Sequence, residues 1–231
     1  MAIVILTGAG LSAESGLGTF RDKGGVWERF AIEDVATPEA FAKDPRKVHA
    51  FYNTRRKQCI EAEPNAAHFA LATLQATLPT HIVTQNVDDL HERAGSEAIH
   101  MHGELRQALC ASCEHRWPAP DAMRIQDHCP KCKTPSTRPD IVWFGEIPYH
   151  MDRIQKLMAE ASLFVSIGTS GQVYPAAGFV ADANMRGIRT VELNLEPSEG
   201  ASLFDETRYG PATEIVPQWV SEMLTATQVV N

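Results

Sequence analysis

AIVILT at residues 2–7 runs directly into GAGLSAESGLGTFRD at residues 8–22. A short apolar strand that meets glycines and then a helix is how α/β folds build a pyrophosphate site. Gly8, Gly10 and Ala13 fit the G-x-G-x-x-G/A pattern: a tight turn, a close backbone approach, and close helix–strand packing. N–H groups at the start of the helix then face phosphate. A glycine turn that binds nothing is the competing reading. A hydride-transferring dehydrogenase would show a second strand ending in Asp or Glu about twenty residues on. This chain instead has GTFRDKGGVWERF at residues 18–30, which reads as a long loop over the cofactor. NAD fits; hydride transfer does not.

The chain has 231 residues, long enough for one large α/β domain or for a domain with a small insert. A formal charge of −8 argues against nucleic acid or an anionic membrane as partner. No apolar run approaches the ~18 residues of a membrane span, and MAIVIL lacks the basic start of a signal peptide. A cytoplasmic monomer is the expectation. Strand-like runs at 3–6, 81–84, 98–101, 163–167 and 190–193 alternate with helical patterns at 45–61, 66–75, 88–94, 151–160 and 175–186. That alternation predicts a doubly wound parallel sheet of Rossmann type, closed by a helix at 211–224. Residues 26–61 are helical without a strand, and 105–139 are rich in Cys, Pro and charge. Both read as inserts forming a smaller domain. Residues 1–25, 62–104 and 140–231 make the NAD-binding domain.

Cys110, Cys113, Cys129 and Cys132 form C-x2-C-x15-C-x2-C, the spacing of a tetrahedral zinc ribbon. Four thiolates leave no open position for water, so the zinc is structural; a redox pair or an iron–sulfur cluster is the alternative. Cys59 reads as a small apolar residue on a helix. Gln85, Asn86 and Asp88 follow a strand, where open α/β sheets bind ligands, although Asp88 also reads as a helix cap. His102 follows another strand and is a candidate general base, with His100 pointing the other way.

GAGLSAESGLGTFRD, TQNVDDLHERAG, HMHGE, the paired C-x2-C, RPDIVWFGE, GTSGQVYPAAGF and ELNLEP occur in this order. Together they resemble the sirtuins, NAD-dependent protein lysine deacylases, of the bacterial type, over essentially the whole chain. The chain begins at the first strand, which suggests a short form, and Gly18 stands where the family usually has proline. The resemblance implies that the acyl oxygen displaces nicotinamide from NAD, and that lysine and O-acyl-ADP-ribose are the products. It makes His102 the base for the ribose 2′-hydroxyl, with Asn86 and Asp88 ordering the carboxamide and a water. Gly8, Ala9, Gly10, Ser12, Ala13, Thr19, Phe20, Arg21 and Trp27 would hold the phosphates and cap the ribose. Gln85 and Val87 join Asn86 and Asp88 around the nicotinamide ribose. Gly168, Thr169, Ser170 and Asn194 would grip phosphate and the adenosine ribose, with Leu195 and Glu196 beside them and Ala212 on the adenine side. The substrate peptide would add as a strand at Val142, Phe144 and Gly145 opposite Val173.

Tyr52 and Arg55 are three apart on the helix expected at 45–61, so they share a face. A phenol and a guanidinium together suit a carboxylate. A packed Tyr and a solvated Arg is the bland alternative. The pair resembles that of the sirtuins that remove succinyl, malonyl and glutaryl groups, and Ala36 matches the small residue that widens their acyl pocket. The expectation is a desuccinylase that also deacetylates. Mono-ADP-ribosyl transfer and a non-catalytic acyl-lysine reader with a zinc ribbon are the competing functions.

Overall fold

In this computed structural model residues 2–19, 25–26 and 30–229 are described. Strands β1 (Ile3–Thr7), β2 (Thr80–Thr84) and β3 (Ala98–His100) make one half of a parallel sheet. Its other half is β7 (Leu163–Ile167), β8 (Arg189–Asn194) and β9 (Glu206–Tyr209). The order is β3-β2-β1-β7-β8-β9. β1 pairs Ile3 with both Thr80 and Leu163, and Thr7 with both Thr84 and Ile167. It is covered on both faces, which is why it reads as an unbroken apolar run. Ile3 and Ile5 join a core with Leu71, Leu74, Val216 and Trp219. Val4 and Leu6 face Ile154, Met158, Val180 and Ala183 on the other side. Strand order reverses between β1 and β7, so the crevice at their carboxyl ends is the natural ligand site.

On the first face lie α5 (Ala66–Thr77) and α9 (Ala212–Val229), and on the second α7 (Met151–Glu160) and α8 (Phe179–Met185). A five-residue helix, α1 (Ala9–Ala13), follows β1. Asn65 starts α5 by accepting from the N–H groups of Ala67 and His68, while its amide donates to the Leu11 carbonyl. That one side chain caps a helix and fixes the end of α1.

A second sheet is antiparallel, in the order β5-β4-β6: β4 (Gly103–Cys110), β5 (Arg116–Pro118) and β6 (Thr137–Ile141). Helices α2 (Ile32–Val35), α3 (Pro38–Lys43) and α4 (Pro45–Glu61) pack beside it. Val35, Val48, Phe51 and Tyr52 share a core with Leu105, Ile141 and Trp143. Arg56, fully buried, reaches from α4 to the Leu105 carbonyl at 2.6 Å and to the Met123 sulfur at 3.3 Å. Asn53 adds bonds to the N–H and carbonyl of Met123. These contacts join the helical insert to the cysteine-bearing segment.

The parallel strands and long helices fall where the sequence puts them. The strand expected at 98–101 ends at His100, and the helix expected at 88–94 shortens to α6 (Leu90–Arg93). The helix expected at 175–186 opens as a 3-10 turn, Ala176–Gly178, before α8. β9 and the whole second sheet carry no such signal. β9 is an edge strand with alternating exposure, and β6 contains Arg138, Pro139 and Asp140.

Candidate active site

Gly8, Gly10 and Gly168 meet where β1 and β7 end. The Gly10 N–H donates to the Gly168 carbonyl at 2.9 Å, and the Gly8 N–H to the Ile167 carbonyl at 2.9 Å. A Cβ on Gly8 would lie 2.7 Å from the Gly168 oxygen, and one on Gly10 2.8 Å from the Gly168 Cα. Gly168 has φ +64°, and a Cβ there would run into the Leu11 nitrogen. The glycines therefore let two backbone segments touch, a reason beyond the ligand approach inferred from their spacing. The N–H groups of Gly8 and Gly10 are already engaged; that of Ala9, in the first helical turn, has no intrahelical acceptor and is the one left for an anion. Beside this cradle the Thr169 carbonyl accepts from the Asn194 amide at 2.8 Å, and Ser166 and Thr169 share a hydroxyl bond at 2.9 Å. Leu195 is exposed, Glu196 too, and Ala212 packs partly into the core at the start of α9.

A buried polar knot lies under the cradle. Asn86 is 4% exposed, and its amide donates to the Gly8 carbonyl and to Ser12 Oγ, each at 3.1 Å. Ser12 also hydrogen-bonds Asp88, whose Oδ1 accepts from the Leu90 N–H at 3.2 Å. The N-cap of α6 (Leu90–Arg93) is Asp89, not Asp88 as the sequence suggests; Asp88 precedes it and satisfies the Leu90 N–H from outside the helix. Burial pushes its carboxyl above the usual range, although these bonds oppose the shift. Sequence patterns do not single out what steadies Asn86 from below. His91 Nε2 lies 3.0 Å from Thr7 Oγ1, which donates to Thr84 Oγ1 at 2.8 Å; Thr84 in turn accepts from the Asn86 N–H at 3.0 Å. His100 is the last residue of β3; strand alternation would put residues 100 and 102 on one face, but the chain turns at Met101 and His102, and the two rings find different partners. The His100 Nδ1 lies 3.1 Å from the Asn86 carbonyl and its Nε2 3.1 Å from Glu92. Burial works against the charge of His100, but the Glu92 contacts win and its pKa is raised.

His102 lies just beyond β3. Its Nδ1 is 3.2 Å from the Gln85 carbonyl, an oxygen that can only accept. Nδ1 therefore carries the proton, and Nε2 presents a lone pair. Burial lowers the pKa of His102 and outweighs that carbonyl bond, so the ring is neutral at neutral pH. A neutral imidazole with one nitrogen tethered is a general base. Val87 joins the same segment to the second sheet, its carbonyl accepting from the Leu105 N–H at 2.7 Å.

Ala36, Tyr52 and Trp143 share one apolar cluster, in which Tyr52 is 6% exposed. The Tyr52 hydroxyl accepts from Trp143 Nε1 at 3.1 Å. Burial pushes the phenol well above its ordinary value, so it stays protonated. Arg55 is half-buried and donates to Gln58 Oε1 at 3.2 Å. Desolvation lowers its pKa, against the pull of Asp88 and Tyr52 charges. The Val142 N–H donates to the His102 carbonyl and the Phe144 N–H to the Ala36 carbonyl, which sets the 142–145 segment beside both His102 and this apolar cluster. Phe144 and Gly145 are exposed there. Val173 and Gln85 line a small cavity at the carboxyl end of β7, with Thr169 and Gly171.

The four cysteines converge, their sulfurs all within 4.8 Å of one another. Cys110 and Cys132 are 3.6 Å apart, Cys113 and Cys129 3.7 Å. Tetrahedral zinc with Zn–S bonds of 2.3 Å needs sulfurs about 3.8 Å apart, so the set fits zinc and leaves no position open for a reacting group. Both knuckles are built alike. Glu114 and Lys133 have φ of 57° and 64°, and their N–H groups return to the carbonyls of Cys110 and Cys129. Cys59 is buried on α4, its thiol pushed up to about 12 by burial. Thr19 accepts at its carbonyl from the Val26 N–H; Phe20, Arg21 and Trp27, which the sequence assigns to the cofactor, lie outside the described residues.

Residues 8–175 match the Sir2 family model. An NAD-dependent protein deacylase from Caulobacter vibrioides is 55% identical over 231 residues, covering 97% of each chain. Among solved structures, a Sir2 homolog–NAD complex is 40% identical with TM-score 0.90, covering 97% of this chain and 90% of that one. A Sir2 protein bound to acetylated peptide is 28% identical with TM-score 0.81, covering 96% and 93%.

Proposed function

The chain belongs to the Sir2 family, and from that membership and the geometry of the cleft we propose that it is an NAD-dependent protein-lysine deacylase that removes succinyl, malonyl and acetyl groups. The observation that carries the reading is the tethered His102, its Nε2 free to take a proton beside the Ser12–Asn86–Asp88 knot. NAD, when bound, supplies an electrophilic ribose carbon and a nicotinamide leaving group. Gly8, Ala9, Gly10, Ala13, Gly168, Thr169 and Ser170 line its phosphates, with the Ala9 N–H as the open donor of the first turn, and Asn194, Leu195, Glu196 and Ala212 take its adenosine. Asn86 and Asp88 orient the nicotinamide end, with Gln85, Val87 and Ser12 around them. His102 Nε2 accepts the ribose hydroxyl proton, and its Nδ1–H donates to the Gln85 carbonyl throughout, which keeps the ring in one tautomer.

Cys110, Cys113, Cys129 and Cys132 would hold a structural zinc, which would brace the second sheet. Residues 26–61 and 105–139 then form the small domain, and 1–25, 62–104 and 140–231 the NAD-binding domain. Acyl-lysine peptide pairs with Val142, Phe144 and Gly145 on one side and Val173 on the other. Tyr52 and Arg55 receive an acyl carboxylate over the small Ala36, a placement supported by the cluster that holds Tyr52 with Ala36 and by the three-residue spacing of Tyr52 and Arg55 on α4. Among the described residues no helix is long and apolar enough to cross a membrane, in keeping with a cytoplasmic monomer acting on proteins.

Mass spectrometry of matched succinyl-lysine and acetyl-lysine peptides, with and without NAD, tests this. Loss of both acyl groups only with NAD is the expected result. Loss of acetyl alone would remove the carboxylate pocket and keep the deacylase. Loss of neither by folded, zinc-loaded protein would remove the enzyme.

A further inference from the structure

Trp143 is buried inside RPDIVWFGE, between Val142 and Phe144, the two residues proposed above to pair with the peptide, and its indole N–H points at Tyr52 Oη, 3.1 Å away on α4. The indole is held firmly. Arg138 stacks its guanidinium 3.4 Å over the ring, and Phe41 packs at 5.2 Å. Arg138 is itself fixed by two bonds to Glu146, at 2.6 and 2.9 Å, and by one to the Ile141 carbonyl at 2.7 Å. Glu146 also accepts from the Trp143 backbone N–H at 2.8 Å. Such a brace around one tryptophan exceeds what filling a core requires.

An indole N–H can donate and never accept. Tyr52 Oη must therefore accept from Trp143, and its single proton is turned elsewhere; no acceptor for that proton lies among the described residues. A carboxylate accepts only, whereas the methyl of an acetyl group offers no acceptor. We propose that Trp143, braced by Arg138 and Glu146, is a positioning residue for acyl specificity: it forces the Tyr52 hydroxyl to act as donor, so that the pocket reads a negatively charged acyl end. The inference rests on the carboxylate pocket proposed above. Arg55 supplies the charge, and Trp143 fixes the direction of the second bond.

Steady-state kinetics on succinyl- and acetyl-lysine peptides test it. Trp143→Phe removes the N–H and so does Trp143→benzothienylalanine, which keeps the bicyclic shape and folds where phenylalanine leaves a void. Both lower the ratio of succinyl to acetyl kcat/KM about tenfold, through the succinyl KM rather than kcat. Tyr52→Phe lowers the same ratio, and the double variant with Trp143→Phe falls no further than Tyr52→Phe alone. A ratio that drops with Tyr52→Phe and stays fixed in both Trp143 variants overturns the positioning role and leaves the pocket standing. A wild-type protein without desuccinylation, or a ratio indifferent to Tyr52→Phe, overturns the pocket and this role with it.

Discussion

A base that must be neutral to act sets its own acid limit. Burial lowers the pKa of His102, so the acid limb of kcat/KM falls below pH 6.5, the ordinary histidine value. A pH–rate profile checks this, and a limb at or above that value would mean a charged ring in the free enzyme. His102→Ala should lose about 10²–10⁴ in turnover with the melting temperature nearly unchanged, because the side chain is a half-buried surface of the cleft. The opposite pattern belongs to Gly168→Ala. Its positive φ and the Leu11 nitrogen in its path cost about 1–3 kcal/mol, read as a lower melting temperature together with weaker NAD binding by calorimetry. The candidate base and the paired glycines were legible in the sequence because strand-end histidines and glycine turns leave a local pattern. The Thr7–Thr84–His91 chain under Asn86 was not: its members lie 77 and 84 residues apart from Thr7, and each alone is an ordinary core residue.

Elements differ in how openly they declare themselves. β1, β7 and β8 are buried on both faces and spell continuous apolar runs, so the parallel sheet could be read directly. β6 is buried at every position yet contains Arg138 and Asp140, each neutralised by a partner far from it in pattern: Glu146, and Arg116 with Tyr149. Pairing hides the strand from any hydropathy argument. The second sheet carries the four cysteines at one end, where a structural zinc would brace it. Zinc chelation should release one equivalent of metal per chain and raise hydrogen exchange in β4, β5 and β6 while the parallel sheet stays protected. Because Arg56 and Asn53 join Met123 to α4, exchange should rise in α4 as well; Cys129→Ser reproduces the effect without a chelator.

For the molecule as a whole, buried histidines make stability fall with acid: His68 and His91 foremost, with His49 and His102 lowered by burial as well. His68 and His91 stack edge-to-face at 5.2 Å, and each keeps one ring nitrogen buried without a partner. Burial holds His68 down to about 4, and holds His91 well below the ordinary value. The unfolded chain takes up protons near pH 6.5 that the folded chain refuses, so stability falls as pH drops through that window. His68 alone accounts for about 3 kcal/mol between pH 6.5 and 4. His100 has the opposite sign, but its gain is complete below pH 6.5 and offsets nothing there. Urea unfolding at pH 7 and pH 5 measures the slope, and His68→Gln should flatten it.

The position of β1 also dictates when the molecule can be completed. Its two neighbours along the sheet are β2 and β7, and the second of these begins only at Leu163. A ribosome adding about 5–20 residues per second leaves one edge of β1 open for roughly 10–30 s. The last knuckle cysteine, Cys132, emerges before that partner strand does. All four zinc ligands are therefore synthesised before the strand that closes the parallel sheet, and until that strand arrives β1 keeps an unpaired, largely apolar edge.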